Sequence, residues 1–321
     1  MMGDLVRRGP AAPAIPRLAG RAWPSLLIVA LGGFILYADR PFWLQLSIGV
    51  GISALLALAW DMLSRTGQVS LGSAAFFGVG AYATALLEPL VGVGLAWIGM
   101  VLVCALLAVL LGLVTLRLRK MYFAIATLGC TLSLQVVVVM FPDITGGAGG
   151  IGPAVIADGD PRLQFAIILG ILLAAAVVSD VLLGNRFRPA FFMIRTKPEL
   201  ASASGVPVVR MKMLAFIVSG IFAGLAGACY GGLYGYVVPA DVFTLNWSVL
   251  PLAVTILGGM DTTLGPLLGA GLLRGLEELA KYVIGGSGYQ VVYGAVIIVF
   301  VLTMPHGLVG LGQWGKAWAR K

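Results

Sequence analysis

Residues 94–141 read GLAWIGMVLVCALLAVLLGLVTLRLRKMYFAIATLGCTLSLQVVVVMF, two apolar runs hinged on Arg117, Arg119 and Lys120. Each run is about as long as a hydrocarbon core of ~30 Å demands at ~1.5 Å per residue. Neither run carries a charge. Working outward, the alternation of apolar run and basic cluster repeats. Arg7, Arg8, Arg17 and Arg21 precede the first run, six cations lie from Arg186 to Lys212, and Lys316, Arg320 and Lys321 follow the last. A soluble domain carries roughly a quarter charged residues. This chain has 11%, with a mean hydropathy of +1.02. The pattern is that of an all-α polytopic membrane protein.

Ten crossings account for the runs, near 24–38, 41–60, 68–88, 94–116, 121–141, 163–183, 213–236, 246–259, 264–284 and 289–304. With the N-terminus inside, 17 of the 21 cations fall in cytoplasmic stretches. The opposite side collects Asp39, Glu88, Asp143, Asp158, Asp160 and Asp241. Positive charge accumulates on cytoplasmic loops, so the N- and C-termini are both expected in the cytoplasm. Residues 1–22 read as a flexible basic tail, 23–305 as a single transmembrane domain, and 306–321 as a C-terminal tail. The basic start followed by residues 25–38 resembles a secretory signal, but the next apolar run begins at Phe42, which fits a retained first helix.

Residues 246–284 are barely long enough for two spans, and Gly258-Gly259-Met260-Asp261 and Gly265-Pro266 both break helices. Two short or half-penetrating helices are expected. Arg274, Glu277, Glu278 and Lys281 make two opposite-charge pairs at i,i+4, so this stretch pairs its own charges. The net charge of +8 does not indicate nucleic acid, because the cations flank apolar helices and no soluble basic face exists to carry them. Cys104, Cys130 and Cys229 lie far apart inside apolar segments, which speaks against a metal site or a disulfide. The single histidine, His306, follows a span directly and reads as interfacial.

The 45 glycines are about twice ordinary usage. Gly220, Gly224, Gly227, Gly231 and Gly235 line one helical face, where a neighbouring backbone can approach closely. Gly67, Gly72, Gly78 and Gly80 do similar work in the third span, and there they also allow the helix to break. If the sixth span is a connector, spans 2–5 and 7–10 form two four-helix blocks of opposite direction, the topology of an inverted repeat.

Two nucleotide-like motifs fail on context. Gly147 to Gly152 fits G-x-G-x-x-G but sits in an external loop with Pro153 after it. Gly310 to Lys316 fits the start of a P-loop, but Ala317 replaces the hydroxyl residue that would hold magnesium. Asn246-Trp247-Ser248 matches a glycosylation sequon, a match common by chance. Asp180 is read as the only carboxylate clearly inside a span apart from the 274–281 group, so no proton relay is evident. Polarity within the spans comes from hydroxyls, amides and aromatics instead. Ser70, Ser73, Phe77, Tyr82, Tyr122, Thr127 and Thr131 are the candidates to line a translocation path, although each hydroxyl could equally bond an i−4 carbonyl.

The longest loop, 184–212, contains Phe191 to Val206, which can form a short helix with Pro198 in its first turn and Gly205 as C-terminal cap. A cytoplasmic helix in a chain without its own energy source reads as a dock for a partner, or alternatively as a helix lying on lipid.

Four stretches together resemble the LivM-type permeases of ABC importers for branched-chain amino acids. They are Gly67-Gln68-Val69-Ser70-Leu71-Gly72 with Phe76 to Tyr82, and Tyr122 to Leu128 with Thr145-Gly146-Gly147 and Gly150-Ile151. The others are Met193 to Gly205 with Lys212 to Phe216 and Phe222 to Gly227, and Leu257 to Met260 with Leu264 to Ala270. The resemblance implies a type II importer-like fold in a bacterial inner (plasma) membrane. The chain would be a transport subunit, not an enzyme, without cofactor or metal. Its partners would be a second permease subunit in a heterodimer, cytoplasmic ABC ATPases and a periplasmic or extracellular solute-binding protein, with lipid around it. The 193–205 helix would couple to the ATPase through Ile194, Arg195, Glu199, Leu200 and Gly205. The family places acidic residues about where Pro198 and Ser202 stand; here the one carboxylate is Glu199. A secondary transporter or channel for a small polar solute is the competing class, and amides or urea are competing substrates.

Overall fold

The computed structural model describes residues 32–33, 41–118, 120–153, 155–182, 187–284, 294–295 and 307–309. Apart from these few positions, the crossings expected near 24–38 and 289–304, both tails, His306 and the P-loop look-alike lie outside the described residues. Eight of the ten expected crossings have a helix. They are α1 (Pro41–Ser64), α2 (Ser73–Val91), α3 (Val93–Thr115), α4 (Lys120–Met140), α5 (Pro161–Leu182), α8 (Val208–Tyr234), α9 (Asn246–Gly258) and α10 (Leu264–Ile284). Two short helices, α6 (Arg188–Thr196) and α7 (Pro198–Ala203), stand between α5 and α8. Seven helical stretches among the described residues, the last being Pro239–Gly258, which ends in α9, are long and apolar enough to cross a membrane; α10 is long enough but carries Arg274, Glu277, Glu278 and Lys281. The protein is a multi-pass, all-α membrane protein.

The surface chemistry is inverted relative to a soluble bundle. Along α3 the inward positions are Ala96, Met100, Cys104, Ala108, Gly112 and Thr115, mostly small, while Leu95, Ile98, Leu102, Leu106, Leu110 and Leu113 stand exposed. In lipid, apolar burial no longer drives helices together, so small residues face neighbours and large aliphatics face the acyl chains. Helix α1 is the opposite case. From Ser53 to Leu63 it is buried on every side and forms the axis of the bundle.

Helices α2 and α8 run parallel, as ten alternating crossings require, and the glycine series is their seam. Phe76 meets Gly220, and a Cβ at Gly227 would collide with the Phe77 carbonyl. A Cβ at Gly80 would overlap the backbone of Gly224. Only glycine permits that approach. At the far end Gly231 packs on Val237, and Gly235 turns the chain with φ +64, which a glycine adopts without strain.

Residues 246–284 fold as two helices. Their backbones touch where a Cβ at Gly258 would strike the Gly265 carbonyl. One end of the bundle gathers Arg65, Arg195 and the 259–263 turn, and is called the basic end below. The opposite end carries the 141–160 loop. There Ile151 and Val237 exchange backbone hydrogen bonds of 3.0 and 2.8 Å. The Gly147–Gly152 stretch begins as a 3-10 turn after a four-residue helix, which is not the setting of a dinucleotide loop.

Candidate functional site

The crossing expected at 68–88 is broken. Residues 67–72 enter the bundle from the basic end in non-helical conformation, and α2 begins only at Ser73. The backbone groups freed by the break are met locally. Leu71 N–H donates to Thr127 Oγ1 (3.1 Å), Gly72 N–H to Ser70 Oγ (3.0 Å), and the Trp60 indole to the Ser70 carbonyl (2.8 Å). Ala74 N–H donates across the bundle to Ser248 Oγ (3.3 Å). Ser248 is at the start of α9, whose 13 residues span about 18–20 Å down to the basic end. Two helix N-termini therefore meet within the bundle, α2 leaving toward one end and α9 toward the other.

Neither helix has an acidic residue in its first turn. Each N-terminus carries roughly half a positive charge from its aligned peptide dipoles, so the junction is a place of positive potential lined by hydroxyls. Aromatic rings close it on one side. Phe77 stacks on Trp247 at 4.3 Å, and Tyr230 lies 5.4 Å from Phe77 and 5.3 Å from Trp247. Tyr82 donates to the Val237 carbonyl at 3.3 Å and stacks on Phe243.

Of the residues singled out from the sequence, Ser70, Ser73, Phe77 and Thr127 are brought together at this junction, all buried. Tyr82 stands further along α2. Thr131, also buried, donates to the Thr127 carbonyl within its own helix. Tyr122 is elsewhere. It is 67% exposed and lines a cavity of about 620 Å³ at the basic end, with Gly67 and Arg195. Trp247 and Ser248 were not singled out for this role. Their sequon look-alike is the start of α9, with Ser248 fully buried.

The coupling stretch is two helices instead of one. Lys197 adopts φ −145 and ψ 88, which ends α6, and Pro198 starts α7. The residue before a proline is disfavoured in the helical region, so the break follows from Lys197-Pro198. Arg195 and Glu199 consequently do not share a helical face. Ile194 is 2% exposed and packed into the bundle, while Leu200 is 55% exposed; Glu199 and Gly205 are also exposed, with Gly205 at φ +82.

Beneath α6 is a lattice of polar groups. Asp61, fully buried, pairs with Arg65 at 2.5 Å. Arg65 also donates to the Ser179 carbonyl (3.0 Å) and Oγ (2.7 Å). Ser179 bonds Thr263 (3.0 Å), which donates to Asp180 (2.5 Å). The other Asp61 oxygen accepts the Asp261 N–H at 3.0 Å, and the Asp261 carboxylate pairs with Arg195 at 2.5 Å. The cytoplasm-facing ends expected for α1 and α5, the α9–α10 turn and the coupling segment are thus one connected structure. Asp61 corrects the reading that Asp180 was the only carboxylate within a span. The expected crossing stops at residue 60, whereas α1 continues one turn to Ser64; the i,i+4 spacing of Asp61 and Arg65 is the sequence signal for that turn.

A family profile described as branched-chain amino acid transport system, permease component, matches residues 43–301. Among relatives, LivM of Salmonella typhimurium, named a high-affinity branched-chain amino acid transport system permease protein, is 28% identical over 82% of this chain and 67% of its own length. LivM of Escherichia coli K12 gives the same values. LivH of Escherichia coli K12, a permease of the same named system, is 31% identical over 35% of this chain and 36% of its own. No solved structure matches.

Proposed function

We infer the function from a firm premise: this chain belongs to the family described as branched-chain amino acid transport system, permease component. It is a permease subunit of an ABC importer for branched-chain or related amino acids. The observation that carries this is the family match across 43–301, laid on a multi-span bundle with a helix broken inside it. Similarity to both LivM and LivH supports a second, related permease as companion. The basic end is the cytoplasmic one on this reading, and both termini lie there. A separate ATPase docks on α6 and α7, and a solute-binding protein on the 141–160 loop.

The lattice gives the coupling a physical form. Force applied to α6 reaches the α9–α10 turn through Arg195 and Asp261, then the ends of α1 and α5 through Asp61, Arg65 and Ser179. Leu200, exposed on α7, is the apolar anchor offered to the ATPase. Burying it would contribute about 1.5–3 kcal/mol to assembly. The test is co-expression with a companion permease, an ABC ATPase and a solute-binding protein, followed by purification and uptake in proteoliposomes. ATP-dependent leucine uptake by the wild-type complex is expected, with Leu200→Asp releasing or uncoupling the ATPase while the permease still inserts. Normal uptake and ATPase retention in Leu200→Asp would remove the coupling assignment.

A further inference from the structure

A cavity of about 430 Å³ lies among α1, α5, α8, α9 and α10, beneath the loop at Val155 and Gly159. Its walls include Gln164, Tyr230, Trp247 and Arg274, with Ile48 and Ile52 between them. Arg274 is the unusual member. It is ten residues into α10, about 15 Å along a helix that starts at the basic end, so it stands at membrane depth. A cation there is costly and is retained where it has work to do.

Its hydrogen bonds fix its position without exhausting it. Nε donates to Ser53 Oγ (2.8 Å) and Nη1 to Glu277 (2.8 Å). Glu277 is shared with Lys281 at 3.0 Å, so Arg274 has no carboxylate to itself. Among the described residues the Nη2 donors are uncommitted. On the α5 side, Gln164 spends its amide nitrogen on the Ile156 carbonyl (3.1 Å), which leaves its Oε1 as an acceptor. The cavity thus offers a charged donor fork, an amide acceptor, and apolar walls from Ile48, Ile52 and Trp247. Trp247 and Tyr230 also belong to the aromatic group that closes the junction of α2 and α9.

We propose that this cavity is a transit site for a zwitterionic amino acid with an aliphatic side chain. Arg274 takes its carboxylate, the Gln164 carbonyl its ammonium, and Ile48, Ile52 and Trp247 its side chain. The assignment rests on reading the chain as an amino-acid permease. A volume in the range of small-molecule sites and a few convergent polar groups in an apolar cleft are the features such a site requires. A guanidinium fork suits a carboxylate better than an ammonium would.

The test uses the complete importer in proteoliposomes. Gly49→Cys, on the cavity wall, should react with a methanethiosulfonate reagent. Leucine should slow that reaction, whereas leucinamide and isoamylamine, which lack the carboxylate, should not. Arg274→Met should lower leucine kcat/KM about 10- to 100-fold, the loss of a hydrogen bond to a charged partner. Arg274→Lys should recover part of it. Where Arg274→Met fails to assemble, the Arg274→Met/Glu277→Met pair removes both charges together, and the Gly49→Cys protection stands independently. Wild-type leucine uptake with no protection at residue 49, or with equal protection by isoamylamine, overturns the site. Absence of leucine uptake by the wild-type importer overturns the amino-acid reading instead.

Discussion

The α2–α8 seam and the basic-end lattice hold the same bundle together by opposite means. At the seam, Gly80, Gly224 and Gly227 bring two backbones into contact with no polar side chain between them. At the basic end, Asp61, Arg65, Ser179, Thr263, Asp261 and Arg195 join four segments through charges and hydroxyls. Close steric fit has one arrangement and resists any change of it. A hydrogen-bonded lattice has partners that can be exchanged, so it can transmit motion. On the proposed function the seam is the part expected to stay fixed and the lattice the part expected to adjust.

The sharpest attack on that distinction is inside the lattice. Asp61→Ala leaves the Arg65 guanidinium buried without its carboxylate, a change expected to cost about 3–5 kcal/mol. Its melting temperature in detergent should fall well below wild type. Adding Arg65→Met should restore much of the loss, and a double variant no better than Asp61→Ala would show that the pair is not the source.

The seam should respond next. Gly227→Ala places a methyl on the Phe77 carbonyl, and overpacking of this kind costs about 1–3 kcal/mol. Gly170→Ala, which would meet nothing within 4 Å, is the control and should melt like wild type. Equal effects at the two glycines would mean that the seam is not a tight fit.

The rim of the lattice should show the smallest stability change and the clearest functional one. Arg195 and Asp261 are about one third exposed, and such ion pairs contribute about 0.2–1 kcal/mol. Arg195→Gln should barely move the melting temperature yet raise ATP hydrolysed per leucine imported. An unchanged ratio would detach the pair from coupling. Labelling carries no stability effect and tests the frame itself: single cysteines at Ser204 and Gly159 should react from opposite sides of the membrane.

Much of this was readable from residue order. The α3 and α4 spans, their basic hinge and the glycine register of α8 follow from run length and spacing, which depend on local chemistry alone. The broken coupling helix is readable too, since Lys197-Pro198 announces it, although the Pro198 and Gly205 signals together suggest a single helix. Asp61 escaped because a charge one turn past a run is ambiguous until its partners are known. Asp261, whose N–H it accepts, is two hundred residues away, and Ser179, which holds its partner Arg65, is more than a hundred.

By itself the sequence determined that the chain crosses a membrane many times, where the long helices of the described residues lie, and which family it resembles, because hydrophobic length and motif order are one-dimensional properties. Tertiary structure alone decided that Ala74 and Ser248 meet within the bundle, that Ile194 turns inward while Leu200 faces out, and that Arg274 borders a cavity. Those are facts of long-range packing. Nothing in the spacing of two residues along a chain says whether their helices will touch.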